Sequence, residues 1–365
     1  MLPDPLFDVV RAYATLRAPQ SIGRVDIPFG IVHEFMLHRI LLNPHFQKYP
    51  PSKQYQATFW KWAIEWLERL ASDEARHILR ISCDEIDECI YTHHIELIQE
   101  LSPYVRSLGM SAPQASYLTY LWATQHPPVQ PVYPGFASAT LLESRTTIES
   151  GTTGLRTWSA SLVLAQYLLN HPELVQNRRV LELGCGVGFL GIVAASVQMQ
   201  DRTGSESVWL TDVNEPVLQR CEENLRLQCN PSHEHPGVHL RLLDWFDAAD
   251  PERCSTVHAL FAEARPDVLL GADVVYEPSI IPALTDTLVL ALSQPDGGEK
   301  REAYIALTER NRDTLGTFVR EAVVVASVLV SQSQHTTSAH RRSCGCEISH
   351  GRSCFGSRMH QLRRT

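Results

Sequence analysis

The sequence predicts an α/β protein in which a doubly wound parallel sheet follows an N-terminal helical domain. Three observations support this fold class. Residues 180–183 form an apolar run that leads into three closely spaced glycines, a pattern typical of a buried strand, a tight turn and the start of a helix. Beyond this turn, apolar runs alternate with helical patterns, as in successive βαβ units. Before it, the first 130 residues carry mainly helical patterns.

The composition is that of a globular protein with a sizeable core. The chain has 365 residues, 44% hydrophobic and 20% charged, which suits two domains. It contains no run of about 18 apolar residues and no basic leader, so we expect neither a membrane span nor a secretory signal. A net charge of −9 argues against nucleic-acid binding across the surface. The nine scattered cysteines fit a reducing cytoplasm better than a disulfide framework.

Five stretches of the N-terminal region have helix-like patterns: 7–16, 30–42, 54–70, 84–101 and 112–124. The third is the clearest, because Phe59, Trp62 and Trp66 fall on one helical face. An aromatic stripe at this spacing is more often core than binding surface. Four prolines between 125 and 136 end the helical pattern. We therefore predict a helical domain over 1–130 and an α/β domain over 131–330, with weak alternation over 137–150 that suits a hairpin.

The glycine turn narrows the choice of ligand. A dinucleotide fingerprint needs a third glycine where Phe189 stands, and a phosphate-binding loop needs a Lys that is absent. What remains is Glu-x-Gly-x-Gly-x-Gly over residues 182–188. Cys185 lies inside the turn, and we expect a small residue facing a ligand, since no base adjoins it. A glycine turn alone is often only a tight turn, so the interpretation depends on the residues that follow.

Acidic residues follow three of the predicted strands. Strand 207–211 ends at Asp212, near the spacing of about 20 residues at which an acid binds ribose hydroxyls. Strand 239–243 ends at Asp244, which either accepts a hydrogen bond from an adenine amino group or caps the next turn. Strand 267–273 is apolar over 268–272 and ends at Asp273. A buried carboxylate is costly without a partner, which favours a function. A fifth strand is predicted over 303–308.

The segment 151–158 combines two glycines and three threonines before a predicted helix. Trp158 begins the helical spacing that Leu162, Ala165 and Leu169 continue. Its indole either packs into the core or forms a wall against a ligand. The second interpretation follows if this helix precedes the first strand and crosses the carboxyl end of that strand.

Together these segments resemble the seven-strand, Rossmann-like protein lysine methyltransferases, and within them the eukaryotic elongation factor 2 lysine methyltransferase family. The most specific features are the Asp-x-x-Tyr pattern of Asp273 and Tyr276 and the Thr-Gly-x-x-x-Trp segment that ends at Trp158. The likeness runs from about residue 30 to about residue 320. The matching stretches are 49–55, 149–158, 180–188, 243–245 and 267–276.

The resemblance implies S-adenosylmethionine as cofactor and a lysine of cytoplasmic elongation factor 2 as substrate. Asp273 and Tyr276 would line the lysine channel. Asp273 would orient the ammonium and help remove its proton, since free Lys has a pKa of about 10.4, while Tyr276 would offer a cation–π surface. We expect a monomer that binds no metal, membrane or nucleic acid. The implied cofactor residues are Trp158, Glu182, Gly184, Cys185, Gly186, Gly188, Asp212, Asp244, Trp245 and Ala272.

The C-terminal part departs from the family pattern. Residues 331–365 are rich in Ser, His, Arg and Cys without apolar periodicity, which predicts a disordered tail and altered last strands. The spacing of Cys344, Cys346 and Cys354 does not fit a paired zinc site. Losing the last strands would expose a sheet edge. Two alternatives therefore stay open: a methyltransferase for another protein, such as a chaperone, or a non-catalytic binding module.

Overall fold

A computed structural model describes residues 5–23, 27–77, 85–101, 115–149, 151–293 and 301–323. The chain divides into one unit that contains Met1–Thr147 and a second that begins at Ile148. The boundary lies beyond the proline-rich stretch because, within the first unit, the strand that follows this stretch pairs with the strand that precedes it. The predicted tail over 331–365 lies outside the described residues.

The first unit contains four of the five predicted helical stretches. The aromatic stripe on the longest helix is core, as predicted: Phe59 is fully buried, and Trp62 and Trp66 are at most 5% exposed. The ring of Tyr13 lies 4.7 Å from that of Phe59. The helices are α1 Phe7–Ala14, α2 Phe29–Phe35 with its π-helical continuation Met36–Leu41, α3 Pro44–Lys48, α4 Lys53–His77 and α5 Glu88–Glu100.

The fifth predicted helix, over 112–124, is wrong. Strand β1, Ser116–Ala123, pairs in antiparallel fashion with β2, Phe136–Glu143. The segment is rich in Tyr, Thr and Trp, which favour a pleated, half-buried surface, and periodicity over a short apolar run does not separate strand from helix. The predicted hairpin over 137–150 is likewise corrected, since β2 pairs with a strand that precedes the prolines.

Within its described residues, the second unit contains a doubly wound sheet of five parallel strands in the order β5-β4-β3-β6-β7, which confirms the predicted fold class. The order reverses between β3 and β6, and ligands of such sheets bind at this switch point. The elements are α6 Ser159–Asn170, β3 Arg179–Leu183, α7 Phe189–Gln198, β4 Ser207–Asp212, α8 Glu215–Leu225, β5 Val238–Leu242, α9 Cys254–Ala264, β6 Val268–Ala272, α10 Ile281–Leu292, β7 Glu302–Ala306 and α11 over 312–323.

Burial follows position in the sheet. Leu181 on β3 and Leu269 on β6 are completely buried, because a central parallel strand is covered on both faces. The edge strand β5 is only partly buried. All residues of α7 are buried, so the helix after the glycine turn is part of the core. No described helix is both long and apolar enough to cross a membrane.

Candidate functional site

Glycines leave alternate positions of the turn at the carboxyl end of β3 without side chains. Gly184 and Gly186 have φ angles of 66° and 53°, in the left-handed region that favours glycine. A Cβ on Gly186 would lie 3.0 Å from the carbonyl oxygen of Gly154. A Cβ on Gly184 would lie 3.1 Å from Val274 Cγ1 and 3.5 Å from the Trp245 indole. Four predicted site segments therefore meet here: the turn itself and the segments that contain Gly154, Trp245 and Val274.

Gly188 ends the turn and begins α7. Its φ is 91°, and its N–H donates to the Cys185 carbonyl at 3.0 Å. The start of a helix presents main-chain N–H groups, which favour a polar or anionic ligand group. Cys185 itself is 6% exposed. The adjacent Cys221 thiol, 3.9 Å away, and burial together raise the pKa of Cys185, so its thiol is a poor nucleophile.

Glu182 is a buried acid directly before the turn. It is 3% exposed, and its Oε2 has no hydrogen-bond partner among the described residues. Burial raises the pKa of Glu182 well above its usual range, and the charge of Asp212 adds to this effect. A main-chain hydrogen bond from Gly191 acts in the opposite direction. Such an oxygen is costly to leave unpaired, and a donor from a bound ligand would satisfy it.

Asp212 ends β4 and lies beside the glycine turn. Its Oδ2 accepts from the Gly186 N–H at 3.2 Å, and its Oδ1 accepts from the Asn214 N–H at 3.1 Å. Burial raises the pKa of Asp212. Each oxygen accepts one of these bonds and retains further acceptor capacity. The next residue, Val213, is 59% exposed, an apolar surface that the sequence reasoning missed although it adjoins the predicted acid.

Asp244 caps a turn, as one of its two sequence interpretations predicts, and Trp245 lies both in the core and beside the glycine turn. Asp244 caps a short 3₁₀ helix by accepting from the Phe246 N–H at 3.0 Å. Trp245 is half-buried against the apolar core and also reaches Gly184. Leu242 and Phe246 are 61% and 57% exposed. The carboxyl edge of β4 and β5 thus presents apolar side chains next to two acids.

Ala272 ends β6, and Asp273 follows it with a φ of 58°. The Asp273 carboxylate accepts four hydrogen bonds. The Thr308 N–H donates to Oδ1 at 2.9 Å and its hydroxyl to Oδ2 at 3.1 Å. Arg310 donates to the same two oxygens at 3.1 and 2.9 Å. The partner that a buried carboxylate requires is therefore Arg310, which the sequence reasoning missed.

Trp158 immediately precedes α6 and is half-buried. Its Nε1 donates to the Thr153 carbonyl at 3.0 Å. Two guanidinium groups lie against its ring, those of Arg156 and Arg310, each with its Cζ 5.1 Å from the ring. Trp158 is thus connected to Asp273 through Arg310, which agrees better with a wall of the site than with plain core packing.

Tyr276 lies three residues beyond Asp273 and is 62% exposed. Partial burial raises the pKa of Tyr276, and the charges of Glu277 and Asp212 contribute. Its hydroxyl therefore stays protonated at neutral pH. The exposed ring offers an aromatic surface beyond the carboxyl end of β6, close enough to Asp212 to feel its charge.

Comparison with known proteins points to the same region. A family model described as lysine methyltransferase matches residues 140–323. The chain is 40% identical over 182 residues to protein-lysine N-methyltransferase EFM3 of Chaetomium thermophilum, a match that covers 49% of this chain and 50% of the relative. It is 29% identical over 293 residues to human protein-lysine N-methyltransferase EEF2KMT, covering 78% and 75%. The chain thus spans half the length of the fungal relative and three quarters of the human one.

Proposed function

The chain belongs to the lysine methyltransferase family, and we propose that it transfers methyl groups from S-adenosylmethionine to a lysine of cytoplasmic elongation factor 2. The observation that carries the proposal is the family match over residues 140–323, which includes every residue of the candidate site. The sequence resemblance to the elongation factor 2 enzymes supports this substrate. So does the similarity to human EEF2KMT over 78% of the chain.

The residues of the site fit the cofactor. The glycine positions of the turn have no room for side chains, so main-chain groups face the ligand there. The unpaired Oε2 of Glu182 suits a cationic amino group. Asp212 retains acceptor capacity for two hydroxyl groups, and the exposed Val213 and Leu242 suit an aromatic ring face. When bound, S-adenosylmethionine supplies an activated methyl group. The proposed cofactor residues are Trp158, Glu182, Gly184, Cys185, Gly186, Gly188, Asp212, Asp244, Trp245 and Ala272.

We assign the lysine channel to Asp273 and Tyr276. Methyl transfer needs an amine that is aligned and has lost its proton, whereas free Lys has a pKa of about 10.4. The exposed ring of Tyr276 attracts an ammonium through its π face. Asp273 contributes a fixed negative charge beside the channel, held in one orientation by Arg310 and Thr308.

The proposal is tested by incubating the purified chain with labelled S-adenosylmethionine and purified elongation factor 2, and in parallel with a cell lysate. We expect label on elongation factor 2 in both. The Asp212→Ala variant should label it poorly at low cofactor concentration, while Asp286→Ala, a change at an exposed acid of α10, should label it normally. Label confined to another protein would indicate a different substrate. Cofactor binding without any labelled protein would indicate a binding module.

A further inference from the structure

Arg310 contacts two of the proposed site residues at once. Its guanidinium donates to both carboxylate oxygens of Asp273, and its Cζ lies 5.1 Å from the ring of Trp158. Asp273 follows β6, Arg310 follows β7, and Trp158 precedes α6. One side chain therefore connects three segments of the chain at the edge of the sheet where the strand order reverses.

The Asp273 carboxylate has no acceptor position left for a substrate. A carboxylate offers about four lone-pair sites, and Arg310 and Thr308 together donate four hydrogen bonds to it. Its side chain is only 4% exposed, whereas that of Arg310 is 42% exposed. An arriving ammonium would have to displace one of these donors. The carboxylate is better suited to hold its neighbours than to accept a proton.

The backbone at Asp273 is also constrained. Its φ of 58° is unusual for a residue with a Cβ, and such a conformation persists where the surroundings determine it strongly. The Asp273 N–H donates to the Ala306 carbonyl at 2.9 Å. The main chain and the side chain of Asp273 thus both bind residues near the end of β7. Tyr276 lies only three residues further along the chain.

Trp158 contacts two guanidinium groups through its ring and a carbonyl through its indole nitrogen. Arg156 lies 5.1 Å from the ring, as Arg310 does, and the indole Nε1 donates to Thr153. A planar, bidentate guanidinium can pair with a carboxylate and lie against an aromatic ring simultaneously, and a Lys ammonium cannot reproduce this geometry. The arrangement therefore depends on arginine at position 310.

We propose that Arg310 is a positioning residue for methyl transfer, which acts through Asp273 and Trp158 to fix the wall that aligns the substrate lysine. The inference rests on the proposed function. It assigns to Arg310 a role in turnover without direct contact with the reacting atoms. It also means that Asp273 and Arg310 act as a pair, so that losing either residue lowers kcat to the same extent.

The test compares Arg310→Ala, Asp273→Ala, their double variant and Arg310→Lys, with kcat and KM measured on the protein that the wild type labels. We expect Arg310→Ala to lower kcat about 100-fold, the scale on which small misalignments act. The dissociation constant of S-adenosylmethionine should change less than about threefold, because Arg156 and the Thr153 carbonyl still hold Trp158 beside the cofactor site. The double variant should be no slower than the slower single variant, since the two residues act together. Arg310→Lys should recover part of kcat and keep the wild-type melting temperature.

Arg312→Ala is the matched control. Arg312 lies two residues further on, is 77% exposed and pairs only with Glu309 among the described residues, so kcat should stay at the wild-type value. If losses from Asp273→Ala and Arg310→Ala multiply, or if Arg310→Lys matches the wild type, the inference is wrong. A lower KM with unchanged kcat in Arg310→Ala would instead make Arg310 a competitor of the substrate ammonium. A wild type that labels no protein would refute the proposed function, and the inference with it.

Discussion

At the scale of single residues, ligand binding and folding stability favour opposite properties of Glu182. Its pKa is raised above the unfolded value of about 4.3. The stability that the neutral acid contributes is therefore present at low pH and is lost as pH rises through the folded pKa. At neutral pH the buried group opposes folding, while the same unpaired oxygen serves a cationic ligand.

Glu182→Gln should therefore stabilise the ligand-free chain and weaken cofactor binding. We expect a higher melting temperature at pH 7–8, with a gain that shrinks toward pH 4. The affinity for S-adenosylmethionine should fall about 10- to 100-fold, the value of a charged hydrogen bond. Calorimetric melting across this pH range and titration calorimetry measure the two effects. Glu234→Gln, at an exposed position, is the control, and a lower melting temperature at every pH would contradict the prediction.

Asp212 should act on the cofactor and not on the chemical step. Asp212→Ala removes charged hydrogen bonds, so binding of S-adenosylmethionine should weaken by roughly 1 to 3 kcal/mol. At saturating cofactor, kcat should stay within about threefold of the wild type, because the residue binds without entering the chemical step. The variant should remain folded, as judged by circular dichroism. A fall in kcat that saturating cofactor does not restore would show that the glycine turn itself depends on the bond to Gly186.

At the scale of elements, the contact between α3 and the β1–β2 pair contains a half-buried titratable group. His45 Nε2 lies 3.0 Å from the Thr119 hydroxyl and 3.1 Å from that of Thr140. Burial lowers the pKa of His45 to about 4. Because the folded pKa lies below the unfolded value of about 6.5, this contribution to stability is complete above pH 6.5. It is lost as pH falls from 6.5 to 4.

We expect urea unfolding of the wild type to lose on the order of 2 to 3 kcal/mol between pH 7 and pH 4.5 through this group. His45→Gln keeps hydrogen-bonding capacity but does not titrate. The difference in unfolding free energy between wild type and variant should therefore shrink as the pH falls, and other titrating groups cancel in that difference. A difference that stays constant with pH would show that His45 does not titrate in this window.

The elements also show which parts of the molecule can be predicted from sequence. The helical period of its apolar residues predicts α4, and short apolar runs predict the strands β3 to β7, because burial on one face imposes a period and burial on both faces a continuous run. The segment 112–124 was misassigned because its conformation depends on pairing with β2, beyond the proline-rich stretch. Arg310 was missed for a similar reason. It lies far along the chain from Asp273, and no local pattern marks a residue that meets its partner only across the sheet.

At the scale of the whole molecule, the cofactor should stabilise the chain by mass action. S-Adenosylmethionine at 100 times its dissociation constant contributes about 2.7 kcal/mol if it binds only the folded state. We expect the melting temperature to rise by roughly 2 to 4 °C and the rise to be smaller in Asp212→Ala. Adenosine triphosphate should produce no comparable shift, since the turn has no phosphate-binding Lys. Equal shifts from both compounds would mean that the site selects only the adenosine that they share.

The close contacts at Gly184 and Gly186 place different limits on how the sequence of the glycine turn can change during evolution. At Gly184, the obstacle to a methyl group includes the side chain of Val274, so a change there can be tolerated after Val274 has become smaller, at the remaining cost of a left-handed Ala. At Gly186, the obstacle is the main chain of Gly154, and no substitution at residue 154 removes a carbonyl oxygen. Descendants of this sequence can therefore acquire a side chain at 184 by an ordered pair of mutations. Position 186 can change only if the loop around residue 154 is rebuilt.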